Sequence, residues 1–186
     1  MRVATVRPKM TGARAAILLL MGKYNVPGYR LTLLEIQKLA YFLQVAGEPL
    51  KLAFAKQKYG PYTEQLHHVL QRLEGHFIRG YGDRSRDVSV TLLPGAAEEA
   101  EAFLQGNRDT EARFERVARL IQGLETPYGM ELLATVHWVA MCESPGARED
   151  PDKAIEGVHN WSEHKKKSFH SNQIAIAWKI EARGMV

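Results

Sequence analysis

The stretch TLLEIQKLAYFLQ (Thr32–Gln44), followed by LKLAFAK (Leu50–Lys56), KYGPY (Lys58–Tyr62) and EGHFIRGYG (Glu74–Gly82), decides the fold. Thr32 and Glu35 have the T-x-x-E spacing of a capping box, in which each side chain closes a backbone N–H that the first helical turn leaves open. Behind it Ile36, Leu39, Ala40 and Leu43 recur at helical spacing and give one buried stripe, which Gly47 and Pro49 end. Leu50, Leu52 and Phe54 alternate with Lys51, Ala53 and Ala55, the period of a half-buried strand. Tyr59-Gly60-Pro61-Tyr62 breaks that strand, and Pro61 suits the first position of a new helix, where its missing N–H is not needed. Leu66, Val69, Leu70 and Leu73 are the inner face of that helix.

Working outward, Phe77, Ile78 and Tyr81 lead into the polar turn Gly82–Asp87, and Val88, Val90 and Leu92 alternate beyond it. Two such runs across a Gly/Asp loop predict a β-hairpin, placed like a wing after a helix pair. Before the core stretch, Thr11 caps a helix running to Tyr24. After it the pattern is helical throughout: a short acidic helix to Leu104, a helix capped by Asp109, Met130 to Cys142 after Thr126-Pro127, one from Pro151 and one from Gln173 to Arg183. The fold expected is α+β and mainly helical: helices around a small antiparallel sheet with a β-hairpin, a winged-helix-like first half and a helical second half. Residues 1–10 read as a linker remnant and 11–186 as one domain.

The totals exclude several classes. With 186 residues, 45% hydrophobic and 25% charged, the chain suits one globular core. Its longest apolar run, Ala15 to Met21, falls far short of the roughly 20 residues that span a bilayer, so no membrane role follows. A lone cysteine, Cys142, among apolar neighbours reads as a buried structural thiol, and the absence of a leader points to a cytoplasmic location. Net charge of +4 is compatible with nucleic acid and equally with an ordinary solvated surface.

Catalytic spacings are missing. Seven histidines show no H-x3-H or H-E-x-x-H pattern, so no metal is expected, and no phosphate-cradling glycine loop or G-x-S-x-G elbow occurs. No cofactor and no small-molecule substrate are expected, and the chain is read as a non-enzyme. Asp83 with His76 and Tyr81 is the one conceivable acid/base cluster, and it lacks a nucleophile. Arg79, Arg84 and Arg86 beside Tyr81 suit phosphate contacts with base stacking, or simply a charged hairpin tip that resists edge aggregation. Lys165 to Lys167, between Trp161 and Phe169, is a second basic and aromatic patch or a solvated connector. Tyr59 and Tyr62 on a rigid Gly60-Pro61 turn suit a recognition surface, or one of them staples the helix start into the core.

The segments IQKLAYFLQ (Ile36–Gln44) and KYGPY resemble the Panacea-type antitoxin domain. Together with EGHFIRGYGD (Glu74–Asp83), ETPYGMELLATVHWV (Glu125–Val139) and VHNWSEHKKK (Val158–Lys167), the chain from about Lys9 onward is similar to the C-terminal domain of DarG-type antitoxins. That resemblance implies a macrodomain upstream that removes ADP-ribose from DNA. It also implies a partner, a DarT-like ADP-ribosyltransferase toxin acting on single-stranded DNA, which this region neutralises by binding without hydrolysis. The contacts it would use are Tyr59, Gly60, Pro61, Tyr62, His76, Tyr81, Asp83, Arg84, Trp161 and Lys165, with local mimicry of DNA. A winged-helix nucleic-acid binder that regulates its own operon is the alternative, since two helices and a hairpin fit that architecture.

Overall fold

The computed structural model describes residues 6–24, 31–83 and 89–184, of Asp83 the backbone only. In chain order the elements are α1 (Gly12–Lys23), α2 (Leu33–Val45), β1 (Ala55–Gln57), β2 (Gly60–Tyr62), α3 (Glu64–Leu73), β3 (Ile78–Arg79), β4 (Thr91–Leu92), α4 (Ala96–Leu104), α5 (Arg108–Ile121), α6 (Pro127–Trp138), α7 (Pro151–Trp161), α8 (Glu163–Ser168) and α9 (Ser171–Gly184). The fold is α+β and mainly helical. Its strands form two separate antiparallel ladders, β1 with β2 and β3 with β4, and no larger sheet among the described residues.

Helix α2 lies at the centre, packed against α1, α5, α6 and β2, while α6 also meets α7, α9 and β2. The apolar core is one continuous cluster that runs from Ala15 on α1 to Ala177 on α9. The capping box at Thr32 and Glu35 is present: the Thr32 N–H donates to Glu35 Oε2 at 2.8 Å, and the Glu35 N–H donates to Thr32 Oγ1 at 3.4 Å.

Several local expectations are corrected. The alternating run Leu50–Ala55 is no strand up to Phe54; pairing begins at Ala55, because side chains hold the segment before it. Gln44 accepts from the Leu52 N–H and donates to the Leu52 carbonyl, both at 2.8 Å, and Gln65 accepts from the Ala53 N–H at 2.6 Å. Pro61 sits inside β2, pairing with Lys56, and α3 starts later with Thr63 as its cap. Asn107, not Asp109, caps α5, and α9 begins at Ser171. Helix α6 widens after Trp138 into a π-helical turn, Val139–Glu143, on which Cys142 is exposed, so the buried-thiol reading fails.

The hairpin after α3 has its base where expected, with Ile78 opposite Leu92 and Arg79 opposite Thr91. Gly80 makes this base possible: its φ is +103°, and a Cβ there would lie 2.3 Å from the Ser89 carbonyl oxygen. Val88, Arg84 and Arg86, and with them the tip of the wing, lie outside the described residues.

Candidate functional site

The site is built by α2, on which Gln37, Tyr41 and Gln44 recur at i, i+4 and i+7 and therefore share a face. Each polar group on that face is spent on another part of the chain. Gln37 donates to the Thr63 carbonyl at 2.9 Å and accepts from the Thr63 N–H at 3.1 Å, fixing the junction of β2 and α3. The Tyr41 hydroxyl meets His137 Nδ1 of α6 at 2.6 Å, and Gln44 holds Leu52 as described. Buried backbone groups must find partners, and here a helix supplies them in place of a strand.

Lys38, beside Gln37, has no exposed area and donates from Nζ to the Pro61 carbonyl at 2.6 Å. Burial, reinforced by the nearby charge of Lys165 and opposed by that of Glu131, brings its ammonium down to about 7. Lys165 is equally buried and is better paired, with Glu131 Oε1 at 2.5 Å and Thr135 Oγ1 at 3.1 Å, over the rings of Trp161 and Phe169. Burial lowers this ammonium too, and the Glu131 carboxylate works against the shift.

Gly60 closes the array. At φ +94° it adopts a left-handed conformation, and a Cβ would meet Thr135 Oγ1 at 3.1 Å and Lys38 Nζ at 3.4 Å. The Y-G-P turn is thus a hairpin end pressed onto one buried lysine, Lys38, and onto Thr135, which accepts from the other. From the other side the Trp161 indole N–H donates to the Gln57 carbonyl at 3.1 Å, while Lys56 Nζ stands 4.5 Å over the same ring.

Of the residues expected at a partner surface, Tyr59 and Tyr62 are half-buried, whereas Gly60, Pro61, Tyr81, Trp161 and Lys165 are buried. Tyr59 packs edge-on against His164 and carries Lys58 over its ring. Tyr62 and Tyr81 are joined through His67, whose Nε2 meets one hydroxyl and whose Nδ1 meets the other. Glu74 fixes the Gly80 and Tyr81 N–H groups at 3.1 and 3.0 Å. His76 lies half-buried on the turn between α3 and β3. Arg84 and the side chain of Asp83 are outside the described residues.

Sequence reading passed over Gln37, Lys38, His67, Glu131 and Thr135 as site residues. The i, i+4, i+7 spacing of Gln37, Tyr41 and Gln44 was the available signal, whereas nothing in the run Lys165–Lys167 marks its first member as buried. Deeper, between α6 and α9, His137 Nε2 and Glu181 Oε1 are buried without a partner among the described residues. Burial lowers the imidazole to about 4, which leaves the ring uncharged at neutral pH, and burial raises the Glu181 carboxyl well above its ordinary range.

Beneath the hairpin a cleft of about 580 Å3 opens between α2, β1 and the start of α3, with Leu33, Leu34 and Ala55 on its walls. A second, of about 610 Å3, lies among α1, α4 and α5, with Leu19, Leu104 and Phe114 below Glu98, Glu101, Glu111 and Glu115. No three His, Cys, Asp or Glu side chains among the described residues gather to hold a metal ion. No described helix is long and apolar enough to cross a membrane.

These features define a mainly helical α+β protein whose central helix clamps a short hairpin. Comparison places relatives beside it. A DNA ADP-ribosyl glycohydrolase of Thermus aquaticus is 52% identical over 171 residues, which is 92% of this chain and 46% of that protein. Proteins of the same name from Mycobacterium tuberculosis and Mycobacterium bovis are each 38% identical over 151 residues, 77% of this chain and 42% of theirs. The chain therefore spans a little under half the length of these relatives. No family model matches it. The relationship to this group is plain, and it corrects one expectation. The relatives carry the name of a hydrolytic enzyme, so the reading of the chain as a non-enzyme falls. It rested on the missing catalytic spacings and on the resemblance, which implied neutralisation by binding without hydrolysis.

Proposed function

We propose that the chain is the toxin-binding region of a DarG-type DNA ADP-ribosyl glycohydrolase. It binds a DarT-like ADP-ribosyltransferase and covers the groove that takes single-stranded DNA. The whole protein removes ADP-ribose from DNA, as the name of its relatives says of them. The observation that carries this reading is the 52% identity to such a relative along nearly all of this chain.

Two surface features support the binding part. A groove that holds DNA is cationic by necessity, and the carboxylates Glu98, Glu101, Glu111 and Glu115 over an apolar floor, offset in part by Lys23, are its complement. Mimicry is then local, as a chain of net charge +4 requires. Tyr59, Tyr62, His76, Asp83 and Arg84 are the proposed contacts. Gly60, Pro61, Tyr81, Trp161 and Lys165 hold them in place.

The test is size-exclusion chromatography of the chain mixed with the DarT-like transferase of the same organism, alongside ADP-ribosylation of a single-stranded oligonucleotide. Co-elution, with loss of modification at stoichiometric amounts, is expected. Separate elution at micromolar concentration overturns the reading. Binding of DNA by the chain alone, weakened by salt and by Arg84→Glu, favours the winged-helix alternative, for which the β3–β4 ladder after α3 is the supporting feature.

A further inference from the structure

We propose that the cleft among α1, α4 and α5 takes a cationic amphipathic helix of a partner protein, with arginine or lysine on its flanks and an aliphatic row between them. Leu19, Leu104 and Phe114 form the floor of this cleft of about 610 Å3. Glu98 and Glu101 come to it from α4, Glu111 and Glu115 from α5, and all four are exposed. The assignment rests on reading the chain as a protein-binding module and names the element of the partner that it takes, since a cleft is filled by a convex body.

None of these four carboxylates makes an ion pair or a side-chain hydrogen bond among the described residues, whereas their neighbour Glu99 is bound by Arg7 at 2.6 Å. Helix dipoles account for two of them: Glu98 and Glu111 lie in the first turns of their helices, where acid is favoured. Glu101 and Glu115 lie beyond those turns, at i+3 from Glu98 and at i+4 from Glu111. Like charges at these spacings weaken a helix, so the free chain gains no stability from either pair. Cations laid beside them relieve the repulsion. The chain itself shows that the floor accepts one: Lys23, the one cation that lines the cleft among the described residues, holds its Nζ 5.8 Å from the centre of the Phe114 ring.

The arrangement selects a helix over other cationic ligands. No three carboxylates among the described residues gather to hold a metal ion, so the acid is met by several separate cations. Nucleic acid is repelled by the same groups. An extended strand sends its side chains in only two directions, whereas acid from two helices around an apolar floor asks for three. A helix with an aliphatic row flanked on both sides by cations meets all three at once, because its residues three and four apart repeat at the pitch of the glutamates. The aliphatic stems of arginine and lysine also lie well against the edges of such a floor.

The test needs no toxin. The probe is the helical peptide acetyl-RARLAALRARLAALR-amide, which carries one leucine row between two arginine flanks. Its controls are the counterpart with citrulline for arginine and a scrambled peptide of the same composition. Each is titrated into the whole chain while the methyl signals of Leu19 and Leu104 are followed by NMR. The arginine peptide is expected to move those signals and to bind about tenfold more tightly than the citrulline peptide, the margin of a few exposed ion pairs. That margin is expected to shrink as salt is added. The double variant Glu101→Gln, Glu115→Gln is expected to lose most of it while unfolding at a urea midpoint at least as high as that of the wild type, because the glutamates repel one another in the free chain. Equal affinity for the arginine and citrulline peptides, equal binding of the scrambled peptide, no movement of the two leucine methyls, or a full margin in the double variant overturns the assignment. A chain that co-elutes with the transferase and ignores the peptides loses this inference alone. One that takes the arginine peptide and elutes apart from the transferase keeps it and loses the toxin reading.

Discussion

Helices α2 and α5 are nearly equal in length and opposite in construction. Of the 13 residues of α2 ten are buried, among them Glu35, Gln37 and Lys38, whereas α5 buries five of its 14, four of them apolar. Helix α5 is an amphipathic stripe: Phe114, Val117, Leu120 and Ile121 face the core and the remaining face is solvated. Helix α2 is covered on nearly every side, because the hairpin and the 50–54 segment rest on what would otherwise be its polar face. The contrast teaches that a polar helix face is a surface only if no other part of the chain needs its hydrogen bonds.

The largest effect expected from breaking this contrast is on α5. Phe114→Ala removes a ring that is 4% exposed, and such truncations cost about 3–5 kcal/mol. A urea titration followed by far-UV circular dichroism reads it as a lower midpoint with unchanged slope. Phe114→Leu is expected to recover most of the loss, since on α5 apolar volume is what counts.

On α2 the same logic fails. Gln37→Ala orphans both the N–H and the carbonyl of Thr63, each costing about 1–3 kcal/mol when buried; with water admitted to the vacated space in part, about 2–4 kcal/mol is expected in the same titration. Gln37→Leu keeps the volume and loses both bonds. It is expected to be as destabilised as the alanine variant, and a Leu variant of wild-type stability would erase the distinction between the two helices.

That distinction also explains what could be read in the sequence. The stripe of α5, the capping box of α2 and the base of the β3–β4 hairpin follow from spacing that one segment carries by itself. The strand at Ala55–Gln57 does not, since Leu50–Phe54 alternates better and is kept out of the ladder by Gln44 and Gln65 from two other helices and by Lys51, whose φ of +57° breaks the extended run. Nor does the burial of Lys165, which depends on Glu131 and Thr135 some thirty residues away meeting it under the hairpin. Cys142 is exposed because α6 opens into a π-helical turn, and no pattern of apolar residues encodes that turn.

The buried lysine gives the contrast a pH dependence. Folding lowers the Lys38 ammonium from 10.5 to about 7, so between these values the unfolded chain binds more protons than the folded one. Stability is therefore greatest above the unfolded value and is lost as pH falls toward 7. The slope is at most about 1.4 kcal/mol per pH unit where one whole proton is taken up. Lys165, shifted the same way, adds to it in the upper part of the window. Lys38→Met is expected to flatten the dependence between pH 7.5 and pH 9, measured by urea midpoints at each pH. A variant as pH-dependent as the wild type would mean that Lys38 folds as an ammonium.

The smallest effect is expected where the two helices are most alike, at their N-termini. Asn107 caps α5 with one bond, accepting from the Thr110 N–H at 3.2 Å, and Asn107→Ala is expected to cost about 1 kcal/mol. Thr32 does the same for α2, but its hydroxyl also donates to Glu35 Oε2 at 2.8 Å, and Glu35 is only 2% exposed. Thr32→Ala therefore removes a cap and a bond to a buried carboxylate together, and about 2 kcal/mol is expected. Thr32→Ser keeps the hydroxyl and is expected to recover most of that loss. Equal costs at the two caps would show that Glu35 finds a replacement partner. The polar groups of α2 would then be less committed to the chain than those along its clamped face.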